Sequence, residues 1–156
     1  MDHNALVDML AAHPLLAGLT RAQLETLARC ARVVDLPLNG FLAREGDPAI
    51  GLLLLTRGRL ALESHMPGRG GVAVETFRAG EVLGWSTLFP PFVWHLDVRA
   101  VEPATMVQLE SGPLQDIFQA DHALGHLVTH RLLGEVSRRL ARARLQQLDV
   151  YKAEHR

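Results

Sequence analysis

The stretch GEVLGWSTLFPPFVWHLDVRA, residues 80–100, decides how this chain reads. It opens with glycines and a carboxylate. It holds both tryptophans of the protein, Trp85 and Trp94, and a Pro90-Pro91 pair, and it closes in LDVRA like a β-strand. Upstream, IGLLLLT (50–56) is a short, wholly apolar run without the polar face a helix needs, which is the mark of a buried strand. In RLALESH (59–65), Leu60, Leu62 and Ser64 alternate with Ala61 and Glu63. VVDL (33–36), VAVETF (72–77), RAGEVLG (78–84), LDVRAV (96–101) and ATMVQL (104–109) add further runs to the series. Turn signals separate them: Asn39-Gly40, REGDP (44–48), Arg57-Gly58 and the glycine-rich PGRGG (67–71). Seven or eight short strands at near-regular spacing predict a β-sandwich or barrel.

Helical periodicity brackets this β region. In ALVDMLAA (5–12), Leu6, Met9 and Leu10 recur at helical spacing, and His13-Pro14 stops the run, since a residue before proline avoids the helical region. Thr20 and Gln23 have the spacing of a capping box ahead of a helix over roughly 21–32, with Leu24, Leu27, Ala28 and Ala31 on one stripe. Ser111 is placed to cap GPLQDIFQA (112–120), with Pro113 in its first turn. Asp121 is placed to cap one long helix from His122 to Lys152. Such a helix is about 45 Å long, more than a domain of this size needs to cover itself.

The bulk numbers narrow the classes. The chain has 156 residues, 48% hydrophobic and 21% charged, which suits one globular domain. A net charge of −1 points to neither nucleic acid nor an acidic membrane. The single cysteine, Cys30, excludes an intrachain disulfide and sits among Ala28, Ala31 and Val33 as a buried structural thiol. The first residues, MDHNALVDML, carry acids where a signal peptide needs positive charge, and no apolar run approaches a membrane span. The expectation is a soluble, cytoplasmic protein.

A helical segment, an eight-stranded β-roll, a short helix and one long helix, in that order, resembles the cyclic nucleotide-binding domain family. That family includes the sensor halves of catabolite activator proteins and the regulatory subunits of cAMP-dependent kinase. HPLLAGLTRAQLETLA (13–28) looks like its N-terminal helical segment. REGDPAIGLLLLTRGRLAL (44–62) looks like its strand–turn–strand signature, with Gly46 and Gly58 at the matching turns. Residues 80–100 resemble its phosphate-binding cassette. The resemblance implies a mainly β fold with flanking helices, an α+β arrangement around an eight-stranded β-roll or jelly roll. It also implies a ligand site at the cassette.

In the family, a short helix after a glycine turns its N–H groups toward the cyclic phosphate. A glutamate takes the ribose 2′-hydroxyl, and an arginine about nine residues on pairs with the phosphate. Without gaps, Gly84 matches the cassette glycine, Leu88 a core leucine, and Val98 and Ala100 the closing strand. The glutamate position is Trp85 and the arginine position is Trp94; the neighbours of the latter are Val93 and His95. No lysine or arginine occurs from 79 to 98. Losing about 3–6 kcal/mol of charge-assisted hydrogen bonding weakens binding by roughly 10²- to 10⁴-fold. Two readings stand side by side. The rings form a flatter site that stacks an aromatic ligand, or they fill the pocket and close it. The candidate ligand residues are Val82, Leu83, Gly84, Trp85, Ser86, Thr87, Trp94 and His95. The resemblance adds Ser137 and Arg138 near the middle of the long helix, where family members contact the base.

Other constellations carry less. His122, His126 and His130 share one helical face, but lack a carboxylate or cysteine beside them and read as a solvated face. His65 and His95 lack the pattern of a metal-binding cupin. The arginines of RRLARAR (138–144) are interleaved with Leu140, Ala141 and Ala143 and read as a solvated face. A DNA-binding helix-turn-helix follows the long helix in transcription factors of the family; the chain ends at Arg156 and leaves no room for one, so no direct DNA binding is expected. Leu133, Val136, Leu140 and Ala143 form an apolar seam, with Leu148 and Tyr151 further along, which predicts a parallel two-helix homodimer. No nucleophile–base pair or metal set points to an enzyme. The expected function is a stand-alone regulatory sensor that binds a small ligand, a cyclic nucleotide or an altered one, and signals to an effector protein through its C-terminal helix. The alternative is a ligand-free interaction and dimerisation module sealed by Trp85 and Trp94.

Overall fold

The computed structural model describes residues 1–68 and 70–156. Helices α1 (His3–Ala12) and α2 (Arg21–Ala28) come first, joined through a 3-10 turn at Pro14–Leu16. Eight strands follow: β1 (Ala31–Leu36), β2 (Phe41–Ala43), β3 (Gly51–Arg57), β4 (Arg59–Met66), β5 (Gly70–Arg78), β6 (Val82–Leu83), β7 (Asp97–Ala100) and β8 (Ala104–Glu110). Helices α3 (Ser111–Ala120) and α4 (His122–Glu154) close the chain. The strands form two antiparallel four-stranded sheets, ordered β1-β8-β3-β6 and β2-β7-β4-β5. This is the β-roll with flanking helices expected from the sequence.

The caps explain the helix boundaries. Thr20 and Gln23 make both halves of a capping box, and Asp121 accepts from the Leu124 N–H at the start of α4. Two boundaries differ from expectation. Helix α2 ends at Ala28 because Ala31 already pairs with Leu109 in the sheet, so strand formation takes the residues that the apolar stripe assigned to helix. Ser111 is the first residue of α3, and Glu110 is its N-cap. The β4–β5 hairpin closes with Met66 opposite Gly70. The expected loop of 67–71 is shorter, since Gly70 and Gly71 already pair in β5; Arg69 lies outside the described residues.

Strand β3 shows why an unbroken apolar run was required. Leu53 and Leu55 point into the roll, where Leu60, Phe77, Leu83, Val98, Ala100 and Met106 meet them. Leu52 and Leu54 point the other way, into a second core with Val82, Val107 and Leu109, covered by Val7, Leu10, Leu16, Leu24, Leu27, Leu114, Leu124, Val128 and Leu132. Successive side chains alternate faces, so a strand buried on both sides must be apolar throughout. Each such leucine contributes about 1.5–3 kcal/mol by leaving water. Gly58, with φ of +87°, makes the β3–β4 turn; a Cβ there would stand 2.2 Å from the Pro103 carbonyl.

Helix α4 has two halves. As far as Leu132 it packs on the roll and on α3. Beyond that point the apolar side chains Leu133, Leu140, Leu145, Leu148, Val150 and Tyr151 are exposed, and one residue, Arg139, is buried. The helix therefore outruns its own domain. No helix among the described residues is long and apolar enough to cross a membrane.

Candidate functional site

The cassette is built where β6 turns away from the roll. Val82 and Leu83 are buried, with Leu83 paired to Leu53. Gly84 takes the left-handed conformation, φ +84°, and a Cβ there would lie 2.7 Å from the Gly51 carbonyl oxygen, so only glycine fits. A single 3-10 turn, Trp85–Leu88, follows. Thr87 is fully buried and its hydroxyl donates to the Ala49 carbonyl (3.0 Å), while Ser111 donates to the Thr87 carbonyl (3.3 Å). Thr87 thus anchors the turn to neighbouring loops. Ser86 is half-buried and His95 exposed.

The segment after the turn is fixed against residues 46–49. Trp94 donates its N–H to the Asp47 carbonyl (2.9 Å), Gly46 donates to the Trp94 carbonyl (2.8 Å), and Ala49 donates to the Phe92 carbonyl (2.8 Å). The Pro90-Pro91 bond is cis, and Phe92 has φ of +57°. With its backbone held on both sides, Trp94 turns inward. It is 8% exposed, and its indole edge reaches to 3.4 Å from the position of a Cβ on Gly84. The space beside the cassette glycine is occupied by indole. The indole also lines a cavity of about 390 Å³ that opens toward Arg32, Phe41, Asp47 and Gln108.

Trp85 is half-buried and touches both cores. Over it comes α4. Ser137 and Arg138 are exposed, and Arg138 pairs with Glu135 on its own helix (2.6 Å). The residue that enters the site is the next one, Arg139, 5% exposed. Its guanidinium carbon stands 3.7 Å from the Phe77 ring centroid and 5.8 Å from that of Trp85. It is ion-paired with Glu75 of β5 and with Glu81 (3.0 Å), and Arg142 reaches Glu81 from the rim (3.2 Å). Neither Nε nor Nη2 of Arg139 has an aligned hydrogen-bond acceptor, the Nη2–Glu81 approach being close but poorly directed. Cation–π contact over an aromatic face contributes about 0.5–2 kcal/mol, most when desolvated. Removing one partner of a buried ion pair costs about 3–5 kcal/mol. Arg139 therefore ties the outer half of α4 to the cassette.

Sequence reasoning passed over Arg139 because RRLARAR reads as a solvated face. The one available signal was its position: Leu132, Val136 and Arg139 recur at spacings of four and three, the stripe that faces the roll.

Elsewhere, His122, His126 and His130 are exposed, with the rings of His126 and His130 stacked at 5.8 Å. His65 pairs with the buried Asp97, and Glu63 with Arg99. Among the described residues, no group of three or more His, Cys, Asp or Glu side chains is placed to hold a metal ion.

Residues 33–121 match the profile of the Cyclic nucleotide-binding domain. The chain belongs to that family. No curated protein sequence matches it. Among solved structures it is similar to a putative cyclic nucleotide-binding protein of Geobacter metallireducens (TM-score 0.74, 24% identity, 85% of this chain and 96% of that one). It is also similar to the regulatory domain of Toxoplasma gondii PKA in complex with cAMP (TM-score 0.69, 17% identity, 88% and 50%). A third is the regulatory subunit of a cAMP-independent protein kinase A from Trypanosoma brucei (TM-score 0.61, 18% identity, 76% and 46%). The cyclic nucleotide-binding domain keeps its fold in this chain, with Trp85 and Trp94 in the segment that follows β6 and an arginine of α4 lying over Phe77 and Trp85.

Proposed function

We propose that this cyclic nucleotide-binding domain is a non-enzymatic regulatory sensor of the cytoplasm. It binds a small ligand between the cassette and α4, and ligand entry releases the outer half of α4 toward an effector protein. The observation that carries this reading is the docking of Arg139 over Phe77 and Trp85, which joins the helix to the site through one side chain. Any ligand that occupies the recess must compete with that guanidinium, and the competition is the coupling. The cassette offers no guanidinium of its own from 79 to 98, so a cyclic phosphodiester is not its best ligand. The trypanosome relative, described as cAMP-independent, is a precedent for the fold working without that nucleotide. The exposed leucines Leu133, Leu140 and Leu148 pair with a second copy in a parallel homodimer, while two residues of the expected seam, the half-buried Val136 and Ala143, which lines a groove against β5, face this chain's own roll.

The test is calorimetry of the purified protein with cAMP and cGMP, joined to hydrogen exchange along α4. Expected are no heat at micromolar nucleotide and faster exchange of residues 133–150 with the true ligand. Micromolar cAMP binding with an unchanged cassette would contradict the charge argument. A second reading, a ligand-free dimerisation module, is favoured by one observation: the Trp94 indole already fills the space at Gly84. An α4 whose exchange is unaltered by any ligand, in a chain that still dimerises, would favour it.

A further inference from the structure

The recess under α4 has the opposite sign to a phosphate site. Its floor is the face of Phe77 with the Trp85 ring beside it; its walls carry the carboxylates of Glu75 and Glu81. Two aromatic faces and two carboxylates converging on one point form a receptor for a positive charge, because the rings present negative faces and the acids supply acceptors. The point is filled by Arg139, a guanidinium tethered to a helix. The tether fits imperfectly, since Nε and Nη2 are buried without aligned acceptors. A diffusible cation is free to orient its donors where the helix-bound side chain is not.

We propose that this recess is a binding site for an organic cation of the guanidinium or primary ammonium class, with Arg139 as its built-in occupant. The proposal rests on the sensor reading for its consequence and supplies the ligand class that reading lacks. A cation that takes the place of Arg139 removes that side chain's contacts with Glu75, Phe77, Glu81 and Trp85 and leaves the rim pair of Arg142 with Glu81, so binding loosens the outer half of α4. An intramolecular occupant acts at an effective concentration of about millimolar or more, so the wild-type protein masks the site.

The test therefore vacates the recess. Arg139→Met keeps an unbranched apolar stem and removes the charge. The probe is agmatine, which carries a guanidinium and an ammonium, followed by calorimetry and tryptophan fluorescence in the full chain. Expected is saturable one-site binding to Arg139→Met, at least tenfold tighter than to wild type, and abolished when Glu75→Gln and Glu81→Gln are added. Inorganic phosphate and cAMP give no such binding. Agmatine binding no tighter than to wild type, or a preference of the variant for phosphate, overturns the proposal. If Arg139→Met does not fold, millimolar agmatine is expected to restore folding by circular dichroism where sodium chloride of equal ionic strength does not; absence of that rescue overturns it equally. In the wild type, at agmatine concentrations that saturate the recess, α4 exchange that stays unchanged leaves the cation site standing and removes the sensor reading instead.

Discussion

Trp94 closes the space beside Gly84, its indole Cη2 standing 3.4 Å from where a Cβ on that glycine would be. The pair packs the inside of the turn that follows β6. Truncating the indole leaves a hole lined by Leu53, so Trp94→Ala is expected to destabilise by about 3–5 kcal/mol in urea unfolding. Gly84→Ala forces a left-handed alanine against the Gly51 carbonyl and is expected to lose about 1–3 kcal/mol. Stability within experimental error of wild type in either variant would mean that the cassette is not packed as described.

Restoring the family's charged pair tests the same site from the other side. Trp94→Arg combined with Trp85→Glu places a guanidinium and a carboxylate where the resemblance puts them. A gain in cAMP affinity of at least tenfold over wild type is expected by calorimetry, since each hydrogen bond to a charged group contributes about 1.5–3 kcal/mol. An unchanged isotherm would show that Arg139, rather than the missing arginine, is what excludes nucleotide.

His13 links stability to acid. Its ring accepts from the Leu15 N–H (3.2 Å) and lies 3.3 Å from the Glu81 carbonyl, so it pins the first helical segment to the turn between β5 and β6. Burial is the main cause that lowers its pKa below 6.5, with the carbonyls of Glu81 and Leu55 opposing. The folded state then binds the proton less readily than the unfolded state, so this contribution is present above pH 6.5 and is lost as pH falls from 6.5 through the lower folded value. Between pH 7.5 and 5.5 the wild type is expected to lose more stability than His13→Asn, whose side-chain oxygen is suited to the same cap. Equal slopes for the two proteins in a pH series of urea melts would remove the linkage.

Cys30 is buried and its thiol is pushed up to about 11 by desolvation. At pH 8 only about one molecule in a thousand carries the thiolate. Native protein is expected to resist Ellman's reagent and to react within minutes once unfolded in urea. Rapid native labelling would place the thiol at the surface.

Leu133 is 65% and Leu140 51% exposed on the outer half of α4. A charge in that seam opposes pairing, so Leu140→Glu is expected to convert a dimer to a monomer in light scattering while leaving the β-roll folded by circular dichroism. A variant that stays dimeric would move the interface off this helix.

Most strands and helices, and the caps at Thr20 with Gln23 and at Asp121, were legible because each is written locally in alternation or helical spacing; the end of α2 and the start of α3 were not, since Ala31 pairs with Leu109 in the sheet and Ser111 is the first residue of α3 rather than its cap. The cassette was legible as a pattern of glycine, turn and strand. Its occupancy was not. Composition places Trp94 in the loop, but only the hydrogen bonds to Gly46 and Asp47, nearly fifty residues earlier in the chain, aim its indole at Gly84. Arg139 was hidden for the same reason. In sequence it is one of several arginines on a polar-looking helix, and Glu75, Phe77, Glu81 and Trp85 lie 54–64 positions away.

Sequence by itself determined a β-roll between helices, the location of the cassette within it and the absence of lysine and arginine from 79 to 98, since these depend on residue type and short spacing. Tertiary structure alone decided that indole fills the glycine's cavity and that one guanidinium of α4 is buried while its neighbours on either side are not. Burial of a charge is a property of what distant strands bring to it, and a local pattern carries no record of that.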